Sequence, residues 1–229
     1  MKSAIIVFPG TNRERDMAMA IQRASGVEPT MVWYTHTELP KVDLIVVPGG
    51  FAYGDYLRAG AMASQAPAMR AVVERAEAGA AVLGICNGFQ VLTEIGLLPG
   101  ALMRNAGLKF ICRNLDLRVE TTDAVFTSGY AAGQCLSIPV AHNDGNYFAD
   151  DATLDRLEAN DRVAFRYVDP EGATTEGGNP NGSARSIAGI LSENRKVLGF
   201  MPHPENATDP MLGGLDGQPM FTAMVEALS

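Results

Sequence analysis

Ala81-Val82-Leu83-Gly84-Ile85-Cys86-Asn87-Gly88-Phe89-Gln90 is the stretch that decides the fold. Ala81–Ile85 is a short apolar run that reads as a buried strand, and Asn87–Gly96 reads as a helix. Cys86 therefore falls on the sharp turn between them. Gly84 and Gly88, two residues to either side, let the chain bend there without side-chain clash. The pattern is Gly-x-nucleophile-x-Gly with Cys where Ser often stands. A thiol at a helix N-terminus lies near the positive end of the helix dipole, which favours thiolate. The backbone N–H of Asn87 is then free to face a developing oxyanion. Most free cysteines are small core residues. Cys112 and Cys135 lack the glycine frame, and for them the core reading is the expectation.

Working outward, strands and helices alternate through the first half. Ser3–Phe8 reads as a strand, with Asn12 placed to cap a helix that runs to about Gly26. Pro29–Tyr34 and Asp43–Val47 read as strands, the latter ending in Pro48-Gly49-Gly50. Gln65–Ala78 is helical, with Gly79 where a C-terminal cap belongs. This order predicts an α/β fold, an open and mostly parallel sheet with helices on both faces. The second half differs. Phe110–Glu120 alternates apolar and polar residues, as a half-exposed antiparallel strand does. Arg162–Asp169, Ser186–Leu191 and Val197–Met201 add strands, Thr174–Ser183 is a loop, and Pro219–Leu228 is a final helix. A smaller antiparallel portion is therefore expected there. No repeat or linker divides the chain, so residues 1–229 are expected to form a single domain.

A thiol with a reference pKa of roughly 8.5 needs a base at neutral pH. Three histidines are present: His36, His142 and His203. His203 lies in Met201-Pro202-His203-Pro204-Glu205, just past a strand. The prolines bias this segment toward extended geometry, in which residues two apart point the same way. Glu205 would then lie beside His203, fixing its tautomer and stabilising the imidazolium. A surface His and Glu at a strand end is the bland alternative; a Cys elbow in the same chain favours the catalytic one. Active sites of open α/β sheets lie at the carboxyl ends of strands, where both Cys86 and His203 fall. Gly49-Gly50, after the third strand, would let a backbone N–H approach the same oxyanion.

Composition narrows the field. Of 229 residues, 47% are hydrophobic and 19% charged, and the net charge is -8. No basic run offers the clustered positive surface that a nucleic acid requires. No apolar run is long enough to span a membrane. The short apolar run near the start reads as a strand rather than a leader. The sparse cysteines match neither a disulfide nor a zinc spacing, and a reducing cytoplasm suits them. No Gly-x4-Gly-Lys-Ser/Thr loop is present, the lysines number only four (Lys2, Lys41, Lys109, Lys196), and no acidic cluster suggests a metal site.

The Gly84–Gln90 string, with Pro-x-Gly-Gly upstream and His-Pro-Glu downstream, resembles the class I (triad) glutamine amidotransferases. Longer strings resemble, within that class, the glutaminase subunits that serve purine biosynthesis: PGGFAYGDYLRAGA from Pro48, GICNGFQVLTEIGLLPGAL from Gly84, NPNGS from Asn179 and MPHPE from Met201. The resemblance runs from the first strand to the last helix. It implies a flavodoxin-like fold and hydrolysis of L-glutamine to glutamate and ammonia through a Cys86 thioester. Cys86, His203 and Glu205 would form the triad, and the Gly50 and Asn87 N–H groups the oxyanion donors. Gln90, Phe51 and His142 would meet the substrate glutamine. It further implies no cofactor in this chain. ATP and Mg would belong to a synthetase subunit that aminates formylglycinamide ribonucleotide, with a small third subunit completing the complex. Asn143, Asn146 and Asn206 depart from the family pattern, where Gly, Arg and Arg are usual. Tyr53, Asp55, Tyr56 and Arg58, within Phe51–Gly60, are expected to face the partner. Rival readings are a glutaminase subunit of another amide-transferring synthetase, a different Cys hydrolase or chaperone-like protein on a related sheet, and a binding module that has lost activity.

Overall fold

The computed structural model describes residues 1–229. Eleven strands and five α-helices form. The first half reads β1 (Ser3–Val7), α1 (Glu14–Ser25), β2 (Thr30–Trp33), β3 (Leu44–Val47), α2 (Pro67–Glu77), β4 (Ala81–Ile85) and α3 (Asn87–Glu94). The second half reads β5 (Ala101–Met103), β6 (Ile111–Val119), β7 (Cys135–His142), β8 (Asn146–Phe148), α4 (Asp151–Ala159), β9 (Val163–Tyr167), β10 (Ile187–Leu191), β11 (Val197–Phe200) and α5 (Gln218–Leu228).

Nine strands make one sheet in the order β2-β1-β3-β4-β11-β10-β9-β6-β7, and β5 pairs with β8 separately. The five strands from β2 to β11 run parallel, and β10, β9, β6 and β7 are antiparallel. The sheet is thus mixed, as the change of pattern at Phe110 implied. The β1–α1–β2 crossover steps one way along the sheet and β3–α2–β4 the other. Right-handed crossovers in opposite directions place α1 and α2 on opposite faces. A continuous core of 56 buried residues runs through the molecule. β3 and β4 are buried throughout, which is why each reads as an unbroken apolar run.

Several local expectations change. Asn12 does not cap α1: Arg13 occupies the N-cap position without a side-chain hydrogen bond. The helix expected from Gln65 starts at Pro67, because Ala66 is extended (ψ 143°), the geometry favoured before proline. Gly79 does follow the helix end, with φ 92°. Cys112 and Cys135 are exposed, not core, because each takes a solvent-facing position of its strand. Strand β7 and helix α4 have no counterpart in the sequence reading.

Candidate active site

Three adjacent parallel strands end at one place. β4 lies between β3 and β11, with Val47 opposite Gly84 and Phe200 opposite Ile85. The residues that follow these strands are Pro48-Gly49-Gly50, Cys86, and Met201-Pro202-His203. Cys86 turns the chain from β4 into α3 with φ 50° and ψ -105°, a strained conformation for a residue with a Cβ. Gly88 makes the turn fit: a Cβ there would stand 1.8 Å from the Val47 carbonyl oxygen. The Cys86 Sγ lies 3.7 Å from the carbonyl oxygen of Ala141 on β7.

His203 and Glu205 are buried, and His203 Nδ1 lies 2.7 Å from Glu205 Oε1. Pro204–Asn206 forms a short 3-10 turn, not the extended segment expected from the prolines. The turn itself swings Glu205 back toward the imidazole. Antiparallel β7 fixes the start of this segment, because His203 N–H donates to Pro139 O at 2.8 Å. The carboxylate orients the ring so that Nδ1–H faces it. Nε2 is left buried and without a protein partner, as is Glu205 Oε2. Burial lowers the His203 pKa, but the Glu205 carboxylate and the Cys86 sulfur outweigh it and raise it to about 10. The imidazole therefore holds its proton at neutral pH.

Gly50 bridges to Thr11, and a Cβ on it would stand 2.7 Å from Thr11 Cα. The Gly50 peptide is thereby held against the Gly10–Asn12 segment that follows β1. Phe51 is half exposed beside it. Gln90 is buried, and its amide is engaged at both ends: Oε1 accepts from Asn87 Nδ2 at 2.8 Å, and Nε2 donates to Asp144 O at 2.7 Å. One N–H of Gln90 remains for a ligand.

His142 is buried at the end of β7. Asn105 Nδ2 donates to Lys109 O and His142 O, and Asn105 Oδ1 accepts from Gly145 N–H. With Oδ1 an acceptor, the 3.1 Å contact to His142 Nδ1 requires a proton on that nitrogen. His142 Nε2 is then a bare, buried acceptor without a protein partner. Burial first, then the charge of His203, lowers the His142 pKa to about 4, so the ring stays neutral.

Two neighbours escaped the sequence reading as site residues. Asn105 sits alone in a loop, and nothing in its sequence context signals that it orients a histidine. Asp55 falls in the expected partner-facing segment. Burial first, then Asp144, raises its pKa to about 6, while a contact from Asn87 Nδ2 at 3.4 Å acts to lower it. His36 lies away from this cluster, in a surface cavity lined by Trp33 and Met31. A cavity of about 200 Å³, lined by Arg13, Cys112 and Asn206, opens beside His203. A larger one, about 500 Å³, adjoins Val197 and Ala76 at the other end of the sheet, away from Cys86 and His203. No group of three or more His, Cys, Asp or Glu side chains is arranged to hold a metal.

A strand-to-helix cysteine, a His–Glu pair and a glycine loop on three neighbouring strands are the equipment of acyl transfer from an amide. The chain belongs to the family of the CobB/CobQ-like glutamine amidotransferase domain, whose profile matches residues 1–213. Over 230 residues it is 60% identical to phosphoribosylformylglycinamidine synthase subunit PurQ of Rhodospirillum rubrum, covering 100% of both chains. It is 58% identical to the subunit of the same name from Ruegeria sp., covering 98% of this chain and 97% of that one. A chain in the structure of PurLQS from Thermotoga maritima superposes with a TM-score of 0.88 at 40% identity, covering 100% of this chain and 99% of that one.

Proposed function

We propose that this chain is the glutaminase subunit of phosphoribosylformylglycinamidine synthase. It hydrolyses L-glutamine and passes the ammonia to an ATP-dependent synthetase subunit. The family match and the full-length likeness to the PurQ subunits support the activity. The PurLQS likeness supports a complex with the synthetase. Residues 1–229 act as one domain, and a small third subunit completes the assembly. ATP and Mg serve the partner, and the complex works in the cytoplasm. No helix is long and apolar enough to cross a membrane.

The observation that carries the residue roles is the convergence of three parallel strand ends, which brings Gly50, Cys86 and His203 to one mouth. The Cys86 sulfur attacks the side-chain carbonyl carbon of glutamine, and the oxyanion forms against the Gly50 and Asn87 N–H groups. His203 gives its proton to the nitrogen as the C–N bond breaks, releasing ammonia and leaving a thioester. A water then gives a proton to His203 and adds its hydroxide to the thioester, and glutamate leaves as the sulfur is restored. Glu205 keeps the imidazole oriented through both steps. Phe51, Gln90 and His142 contact the substrate. His142, neutral and with a bare Nε2, offers an acceptor to an N–H group.

Released ammonia is a nucleophile only while unprotonated, so the mouth must close against the partner. Tyr56 and Leu57 are 88% and 69% exposed on the loop beyond Phe51, as a docking surface requires. Asn146 and Asn206, which depart from the family pattern, lie near the site. Asn146 Nδ2 reaches Arg104 O at 3.4 Å, and Asn206 lines the cavity beside His203.

The test is Cys86→Ala in the assembled complex. Glutamine-driven product formation is abolished and ammonia-driven formation persists. Loss of both would mean that Cys86 holds the structure together instead.

A further inference from the structure

Beyond its backbone N–H, Asn87 has a buried side chain that the mechanism above does not use. That side chain touches three parts of the site at once. Its Oδ1 accepts the N–H of Ala52 at 3.2 Å, two residues past Gly50. Its Nδ2 donates to Gln90 Oε1 at 2.8 Å and lies 3.4 Å from Asp55 Oδ1. A residue on the first turn of α3 thus grips the loop that follows β3.

The loop needs a grip. Tyr53 and Asp55 have φ of 55° and 51°, and Gly54 between them has φ of 74°. Consecutive left-handed residues persist only where the surroundings over-determine them. Beyond Ala52 the loop is largely exposed at Tyr56, Leu57 and Arg58, and there the Arg58 guanidinium ties it to Glu94 at the far end of α3, at 2.6 and 2.7 Å. On its other side it is tied by Phe51 N–H to Gly10 O at 2.9 Å and Tyr53 N–H to Pro9 O at 2.7 Å. Those bonds set the loop against β1. The Asn87 amide is the tie that sets it against the Cys86 turn.

We infer that the Asn87 side chain is a positioning residue for the reaction: it holds the Gly50 loop at the distance from Cys86 at which the two oxyanion donors converge. Aligned donors matter at the transition state more than in the ground state, because charge develops on the oxygen only as the sulfur adds. The side chain touches no substrate atom. It acts through the loop that carries Gly50, and its contact to Gln90 Oε1 is separate from that role. This inference rests on the glutaminase reading above.

Two variants separate the possibilities in the assembled complex, each assayed with glutamine and with ammonium as nitrogen source. Asn87→Leu keeps similar bulk and removes all three contacts. Asn87→Asp keeps an acceptor for Ala52 N–H, but sets a carboxylate against Gln90 Oε1 and Asp55. For Asn87→Leu, kcat with glutamine falls between about tenfold and a thousandfold, the range up to loss of one oxyanion donor. KM changes far less. Ammonium-driven synthesis stays as in the wild type, and so does the rate at which iodoacetamide, which forms no oxyanion, alkylates Cys86. For Asn87→Asp, kcat is also low at pH 8 but recovers relative to wild type as the pH falls toward 6, where the facing carboxylates share a proton.

Unchanged kcat in Asn87→Leu overturns the inference, and so does a rise in KM with kcat kept, which would make Asn87 a binding aid through Gln90. Parallel loss of ammonium-driven synthesis and of alkylation would also overturn it, marking a fold defect. A wild-type complex that makes no product from glutamine would overturn the functional reading itself.

Discussion

Glu205 and His203 show what one carboxylate does when buried beside one imidazole. Burial alone would lower the His203 pKa, but the Glu205 carboxylate 2.7 Å away, with the Cys86 sulfur, outweighs it and raises the pKa to about 10 from the usual 6.5. A folded-state pKa above the unfolded one contributes stability that is complete below about 6.5 and lost as pH rises through about 10. Glu205→Gln removes the charge that outweighs desolvation. The expected result is a lowered His203 pKa, read by NMR titration, and a flatter stability profile between those pH values. The turnover of glutamine falls by up to about four powers of ten, the loss typical when a catalytic histidine loses its orienting carboxylate. The residues proposed as a triad could be picked out of the sequence, because a glycine-framed cysteine and a His-Pro-Glu string are uncommon together. The geometry could not. Prolines argued for extended backbone, whereas a 3-10 turn at Pro204–Asn206 brings the carboxylate round. The tautomer of His142 was out of reach, since it depends on Asn105, 37 residues away.

At the scale of elements, the β4–Cys86–α3 bend is the unit on which the site stands. Gly88 lies where α3 passes the end of β3, and even a methyl group there would collide with the Val47 carbonyl at 1.8 Å. Gly88→Ala must therefore shift strand or helix. We expect a loss of about 1–3 kcal/mol, the usual cost of overpacking, measured by urea unfolding. Glutamine turnover falls with it because Cys86 moves. Strands β1, β3, β4 and β11 were readable because each is a compact apolar run with a turn signal after it. β7 was not. Pro139 interrupts its pattern and argues against a central strand, but β7 is the outermost strand of the sheet, where a missing N–H costs little. α4 buries only Leu154 and Leu157, too little apolar periodicity to announce a helix. Its N-cap, Asp150 accepting from Thr153 N–H at 2.6 Å, was the available signal.

On the whole molecule, the proposed active-site mouth shares a face with exposed apolar side chains. Phe51, Tyr56 and Leu57 are 43%, 88% and 69% exposed on the loop tied to Asn87. Replacing Tyr56 and Leu57 together by Asp leaves the isolated chain folded. It weakens assembly with the synthetase at least tenfold by calorimetry, since aromatic and aliphatic anchors carry most interface energy. The chemistry itself is decided by which of three thiols reacts. Cys112 and Cys135 are exposed and in reach of any reagent, whereas Cys86 is buried and framed for attack on an amide. The decisive measurement is mass mapping of the adduct formed by a glutamine-mimicking alkylating agent on the assembled complex. A single adduct on Cys86, suppressed by added glutamine, is the expected result. Adducts on Cys112 or Cys135 with Cys86 unmodified would contradict it.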